Sequence, residues 1–171
     1  MSRLRLLSHA EAPVLARGWY RADGSASALT RSLASAPDLL ETLMPFLGQI
    51  FAEGSVDLAT KELVVVRVSQ LNGCRYCLAA HRPLALAAGS SPELVAALCD
   101  EAPHDGLSER ERALIEWVDR FTLDAGGMTD ELVARVLDHV RDDQLIELAV
   151  LAGTTQLLNQ YCTAFDIPPP A

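Results

Sequence analysis

Aromatic side chains are scarce: nine of the 171 residues are Phe, Tyr or Trp. The apolar mass is therefore aliphatic and Ala-rich, the make-up of a helical protein. Positive charge is also short. Fourteen Lys and Arg stand against 23 Asp and Glu, for a formal charge of −9, and no basic stripe is present. Nucleic-acid binding is disfavoured on that balance. No apolar run approaches the roughly 18 residues that a membrane span needs, so no membrane partner is expected. Arg3 and Arg5 open the chain, but Glu11 falls where the apolar stretch of a signal peptide would have to lie. The protein is accordingly expected in the cytoplasm. Hydrophobic content is not lacking: half the residues are hydrophobic and 22% are charged, which excludes a disordered chain. The length fits one compact domain, with room for an extra arm.

Prolines are absent between Pro45 and Pro83 and between Pro103 and Pro168, and helices are expected in those stretches. Ser35 is read as the cap of a helix with Pro37 in its first turn, kinked at Pro45 and ended by Gly54. Asp57 caps a second helix to about Leu71, Asn72-Gly73 signals a turn, and a third helix runs from Cys74 to about Ala88. Further starts fall at Ser91-Pro92, at Ser108 with Glu111, at Thr129 and at Asp142, the last opening a long helix to about Phe165. The β-branched run Leu63 to Val68 leans towards strand. A strand leading into C-x-x-C and a helix would suit a thioredoxin-like sheet, but no further strands follow Cys77. The expected fold is all-α and multi-helical. It divides into a helical arm at 1–34, a helical domain at 35–167 and a Pro-rich tail at 168–171.

Residues 57–81 and 142–166 match at an offset of 85, with Asp57/Asp142, Glu62/Glu147, Leu63/Leu148, Val65/Val150, Tyr76/Tyr161, Cys77/Cys162 and Ala79/Ala164. Such a repeat predicts two similar helical hairpins packed together. The second copy has Asn159 opposite Cys74 and Asp166 opposite His81, so it keeps the shape without the chemistry.

Chemistry concentrates between Glu62 and His81. Cys74 and Cys77 fall in the first turn of a predicted helix, where Cα atoms at i and i+3 lie about 5 Å apart, within disulfide reach. Helix N-termini favour a thiolate, and Arg75 adds positive charge nearby. His81 lies four residues after Cys77, on the same face one turn on, and is better placed to take a proton from Cys77 than from Cys74. Glu62 lies about ten residues before the Asn72-Gly73 turn and His81 about eight after, so an antiparallel hairpin sets the two within about one helical turn of the same level. Glu62 shares its face with Leu58 and Val66, where a carboxylate is either paired or raised in pKa.

Other residues carry blander readings. A zinc site on Cys74, Cys77 and His81 is disfavoured because no second ligand pair is visible. Cys99 and Cys162 are read as small buried apolar residues, His9, His104 and His139 as surface residues, and Trp19 and Trp117 as packing residues. Tyr76 either packs on the hairpin or hydrogen-bonds near the thiols.

The pattern Glu62–x11–Cys74-Arg-Tyr-Cys77-x3-His81 in an all-helical chain resembles the alkylhydroperoxidase AhpD-like group of the carboxymuconolactone decarboxylase superfamily. The resemblance is close over about residues 35–100, looser over the final helix and absent over 1–34. It implies an AhpD-like helical fold, homo-oligomers (trimers or hexamers) and a thiol-dependent peroxidase without metal, haem or other cofactor. It also implies a dithiol reductant, such as a lipoyl-carrying protein. The decarboxylases of the superfamily generally lack the cysteine pair, which disfavours decarboxylation. Some of its peroxidases carry a histidine between the cysteines, where this chain has Tyr76. On this reading Glu62 orients His81, His81 deprotonates Cys77, Cys77 attacks the hydroperoxide and Cys74 closes the disulfide. A disulfide reductase or electron carrier on the same site, and a non-enzymatic redox sensor, are the alternatives.

Overall fold

The computed structural model describes residues 2–100, 102 and 106–170, and among them there is no strand. Pro103, His104 and the outermost residue at each end lie outside the described residues. The helices are α1 (Ala28–Leu33), α2 (Pro37–Phe51), α3 (Leu58–Leu71), α4 (Arg75–Ala87), α5 (Pro92–Leu98), α6 (Glu109–Leu123), α7 (Asp130–Leu137) and α8 (Asp142–Ala164), with 3-10 turns at Val14–Trp19 and Ala125–Gly127.

The helix starts follow the capping chemistry of the sequence. Asp57, Ser91, Ser108 and Thr129 each accept an amide hydrogen bond at the head of a helix, and Ser108 with Glu111 completes a capping box. Ser35 does not cap α2. The amides of Ala34 and Ala36 close onto the carbonyls of Thr30 and Leu33, so Ser35 sits inside the turn that ends α1. Ala36 takes the cap position without a side-chain bond, and Pro37 begins the helix. The helix runs on through Pro45 to Phe51.

The β-branched run of α3 is helical because it is central: every residue from Thr60 to Ser69 is buried. α3 packs on α4, α5, α6 and α8, and most of the main core surrounds it. Tertiary burial outweighs the strand leaning of four valines. Two cations on this buried helix are fully satisfied. The Lys61 ammonium donates to the carbonyls of Ile50 (3.0 Å) and Ala52 (2.5 Å) and pairs with Glu147 of α8. Arg67 grips Asp119 with two bonds of 2.6 and 2.8 Å and reaches Asp100 at 2.7 Å. Truncating the acidic side of such a pair strands a buried cation, which is why these contacts fix α3 in place.

The second copy of the 85-residue repeat is not a hairpin. α8 runs unbroken through Leu157 and Leu158, which stand where the first copy has Asn72-Gly73, so nothing there breaks the helix. The N-terminal arm has its own small core of Leu7, Ala12, Ala16, Tyr20, Leu33 and Ala34 against Leu40 of α2. Its first residues are pinned to the end of α8, where the Arg3 amide donates to the Phe165 carbonyl at 2.8 Å.

Candidate active site

Two helix ends build the sulfur half of the site. α3 ends in a Schellman motif: Gly73 takes φ +61°, its amide bonds the Gln70 carbonyl, and the Cys74 amide bonds the Ser69 carbonyl at 2.9 Å. Glycine is needed there because the left-handed turn excludes most side chains. Cys74 thus closes α3 and at the same time caps α4, its Sγ accepting the Cys77 amide at 3.4 Å. α8 ends the same way, with Asp166 at φ +48° and the Ile167 amide on the Cys162 carbonyl at 2.9 Å. Ile167 folds back beside Cys162, the hydrophobic contact expected of this motif.

The two ends meet. The Sγ atoms of Cys74, Cys77 and Cys162 all lie within 4.8 Å of one another, and all three residues are buried. No disulfide joins any of the four cysteines. Cys162 is buried, as expected, but it is not isolated in the core. It faces the C-x-x-C pair because α8 lies against the α3–α4 hairpin, and its match to Cys77 in the repeat was the signal that could have found it. Cys99 sits apart, in the main core at the end of α5. Asn159, a turn before Cys162, is also buried. It donates to Ser69 Oγ and accepts from Asn72 Nδ2, both at 3.1 Å.

The three sulfurs shift one another's ionisation. Hydrogen bonds from the Cys162 and Cys77 thiols, against the effect of burial and with help from the Cys77 amide and Thr163, hold the Cys74 thiol well below the ordinary range. Cys162 draws Cys77 down, but its bond to Cys74, burial and the Cys74 charge together push the Cys77 thiol up to about 12. Bonds to Cys74 and Cys77, with burial, push Cys162 up further. Arg75 adds little here: its side chain is 81% exposed and pairs with Asp166 at 2.9 Å.

The other half of the site is a carboxylate–imidazole pair. Buried Glu62 of α3 meets His81 of α4, Oε2 to Nδ1 at 2.9 Å. With Glu62 accepting, Nδ1 carries the proton and Nε2 is the nitrogen left to act as an acceptor. The Phe51 ring lies against the imidazole, centroids 5.5 Å apart. The hairpin thus brings Glu62 and His81 together, and His81 stands one turn along α4 from Cys77.

The arm roofs the sulfurs. Leu6, Ala28 and Leu29 pack on the cysteine cluster, and so does Tyr76. Of the two readings the sequence left open for Tyr76, the structure shows packing beside the thiols, and burial raises its pKa. A cavity of about 40 Å³ remains beside Cys74 and Cys162, lined also by Gly73, Arg75, Thr163 and Asp166. A larger apolar hollow of about 550 Å³ lies between Trp117, Phe121, Met128, Leu137 and Ile146, and holds none of the residues above.

An all-helical chain with a capped cysteine pair and a buried Glu–His couple defines a helical thiol protein. Its family follows from comparison. Residues 37–120 match the carboxymuconolactone decarboxylase family, and the chain carries a domain of that family. It is 28% identical over 130 residues to YdfG, an uncharacterised protein of Bacillus subtilis (strain 168), spanning 75% of this chain and 88% of that one. The alkylhydroperoxidase AhpD core of a peroxidase-related protein from Ralstonia eutropha JMP134 superposes with a TM-score of 0.86 at 18% identity. That match covers 99% of this chain, the arm included, and 92% of the other. The debrominase Bmp8 shares the fold at a TM-score of 0.71 and 20% identity, over 82% of this chain and 76% of its own. The fold is AhpD-like, and named relatives in it are enzymes of more than one kind.

Proposed function

We propose that the protein is a thiol-dependent peroxidase that reduces small hydroperoxides through Cys74 and Cys77. The observation that carries this reading is the Glu62–His81 bond, one turn from a cysteine whose thiol does not ionise unaided near neutral pH. His81, oriented by Glu62, takes the Cys77 proton directly or through water. The Cys77 sulfur attacks the outer peroxide oxygen, the O–O bond breaks, and the alkoxide leaves and is protonated to the alcohol. Cys77 is then a sulfenic acid. Cys74, held as a thiolate by its neighbours, attacks that sulfur and releases the oxygen as water, forming the Cys74–Cys77 disulfide. An external dithiol, such as a lipoyl-carrying protein, restores both thiols by exchange. A cycle of this kind works in a reducing compartment, and we place it in the cytoplasm.

One observation favours exchanging the two roles: the small cavity borders Cys74 and not Cys77. Trapping decides between them. A dimedone-type reagent should label Cys77 in Cys74→Ser, and label on Cys74 in Cys77→Ser reverses the order.

Apolar side chains left in solvent on α8, namely Ile146, Val150 and Leu157, and on α4, Leu84 and Leu86, support a homo-oligomer. We take trimer or hexamer as its form.

The test is peroxide consumption with a panel of dithiol reductants, with thiols counted before and after. Turnover with loss and recovery of two thiols supports the peroxidase. Disulfide reduction without peroxide turnover points to a reductase or electron carrier. Oxidation without turnover of either kind points to a redox sensor.

A further inference from the structure

The sulfur triangle contains one more thiol than the cycle above uses. We infer that Cys162 is a third redox partner of the site, exchanging into the Cys74–Cys77 disulfide to form a Cys74–Cys162 bridge and return Cys77 to the thiol state. The inference rests on the C-x-x-C pair being redox-active, though not on peroxide being its oxidant.

Three observations carry it. First, Cys162 Sγ is within 4.8 Å of both other sulfurs. Rotation of a cysteine side chain between staggered positions swings its sulfur by about 3 Å, enough to close that gap to bonding distance. Second, both backbones are held by helix-end hydrogen bonds: Cys74 closes one Schellman end, and Cys162 anchors the other beside Ile167. Third, the cavity of about 40 Å³ borders Cys74 and Cys162 together, giving these two sulfurs room to move. Cys99, in the main core, has no such neighbours among the redox thiols.

The exchange is balanced. The Cys162 sulfur gives up its proton and attacks Cys74 Sγ. The Cys74–Cys77 bond breaks, its electron pair leaves on Cys77 Sγ, and Cys77 takes up a proton. One disulfide and one thiol enter, and one disulfide and one thiol leave, with no net oxidation. The charge on Cys74 that helps hold Cys162 protonated is gone once Cys74 is in a disulfide, so attack becomes easier in the state where it is needed. The consequence is a Cys77 thiol restored one turn from His81 while the oxidising equivalents wait on Cys74–Cys162, beside the cavity.

The test oxidises the full-length protein with one equivalent of diamide, and separately with hydrogen peroxide. Acid quenching, alkylation and non-reducing peptide mapping by mass spectrometry follow, for wild type, Cys77→Ser and Cys99→Ser. In wild type, Cys74–Cys77 and Cys74–Cys162 should coexist within about tenfold of each other, since both closures join the same neighbouring sulfurs. Cys77→Ser should give Cys74–Cys162 as its main bridge, and Cys99→Ser should match wild type. The inference is overturned if Cys162 stays fully alkylatable in wild type under conditions that close Cys74–Cys77. Because the wild type is itself diagnostic, a poorly folding variant does not remove the test. Diamide separates the two readings. Bridging by diamide without peroxide turnover keeps this inference and removes the peroxidase, and turnover with Cys162 always alkylatable does the reverse.

Discussion

Glu62 in α3 and Glu147 in α8 hold matching places in the 85-residue repeat, yet one binds His81 and the other binds Lys61. Tyr76 and Tyr161, also matched, both pack at the cysteine cluster beneath the arm, and Tyr161 bonds Ser32 of that arm. Cys77 and Cys162 meet at the sulfur cluster. Val65 is 1% exposed whereas its counterpart Val150 is 44% exposed. The two stretches thus share a pattern and differ in what surrounds them. Where the chain turns at Gly73 and a second helix folds back, the carboxylate gains an imidazole and the pair of thiols gains a helix N-terminus. Where the helix runs straight, the same carboxylate neutralises a buried ammonium and the outer face stays apolar. The partner, rather than the residue type, separates chemistry from scaffold.

The sharpest break in the comparison is at the cysteines. Cys77→Ser should abolish peroxide turnover, measured as hydroperoxide loss with a dithiol present, whereas Cys99→Ser should leave it unchanged. Cys74→Ser should stop turnover after one event and also shift the titration of Cys77. Removing the Cys74 charge removes a force that opposes ionisation, so the Cys77 pKa should fall from about 12 towards the free-thiol value of about 8.5. Alkylation rate against pH reads this directly, with faster reaction at pH 8 in the variant than in wild type.

The two glutamates should then separate cleanly. Glu62→Gln keeps nearly the same shape and should slow Cys77 oxidation by about 10²–10⁴-fold, the usual scale of general-base assistance. Glu147→Gln should leave the rate per folded molecule unchanged and cost stability instead. It strips the countercharge from Lys61, which is 1% exposed. A loss of about 3 kcal/mol in denaturant unfolding is expected, near the low end for breaking a buried pair because a fifth of the Glu147 side chain meets solvent. The smallest effect concerns the outer face. Val150→Glu should weaken self-association in light scattering without changing the site, because Val150 points away from the core.

Much of this was legible in the residues. Capping boxes and the Asn72-Gly73 turn mark the helix ends, and similar distances from that turn put Glu62 and His81 within about one helical turn of the same level. These signals are local, or follow from helix geometry alone. What the residues do not reveal depends on which helices become neighbours. Cys162 reads as an ordinary buried thiol until α8 is laid against the hairpin. Arg75 reads as a charge near the thiols until Asp166 takes it. Lys61 and Arg67 gain their acidic partners only because α3 is central. The arm at 2–34 carries no motif, and its place over the sulfurs follows from the packing of Leu6, Ala28 and Leu29 on them, which is long-range.

The central claim is that the Glu62–His81 pair drives the chemistry of Cys77 while its counterpart in α8 only holds the fold. The second-order rate of Cys77 oxidation by peroxide, measured against pH for wild type, Glu62→Gln and Glu147→Gln, tests it most directly. The account predicts that Glu147→Gln overlays wild type. Glu62→Gln should fall well below it through neutral pH, with the gap narrowing as the pH climbs towards about 12 and Cys77 ionises unaided. Profiles for Glu62→Gln and wild type that superimpose at every pH would contradict it and leave Glu62 a scaffold residue like Glu147.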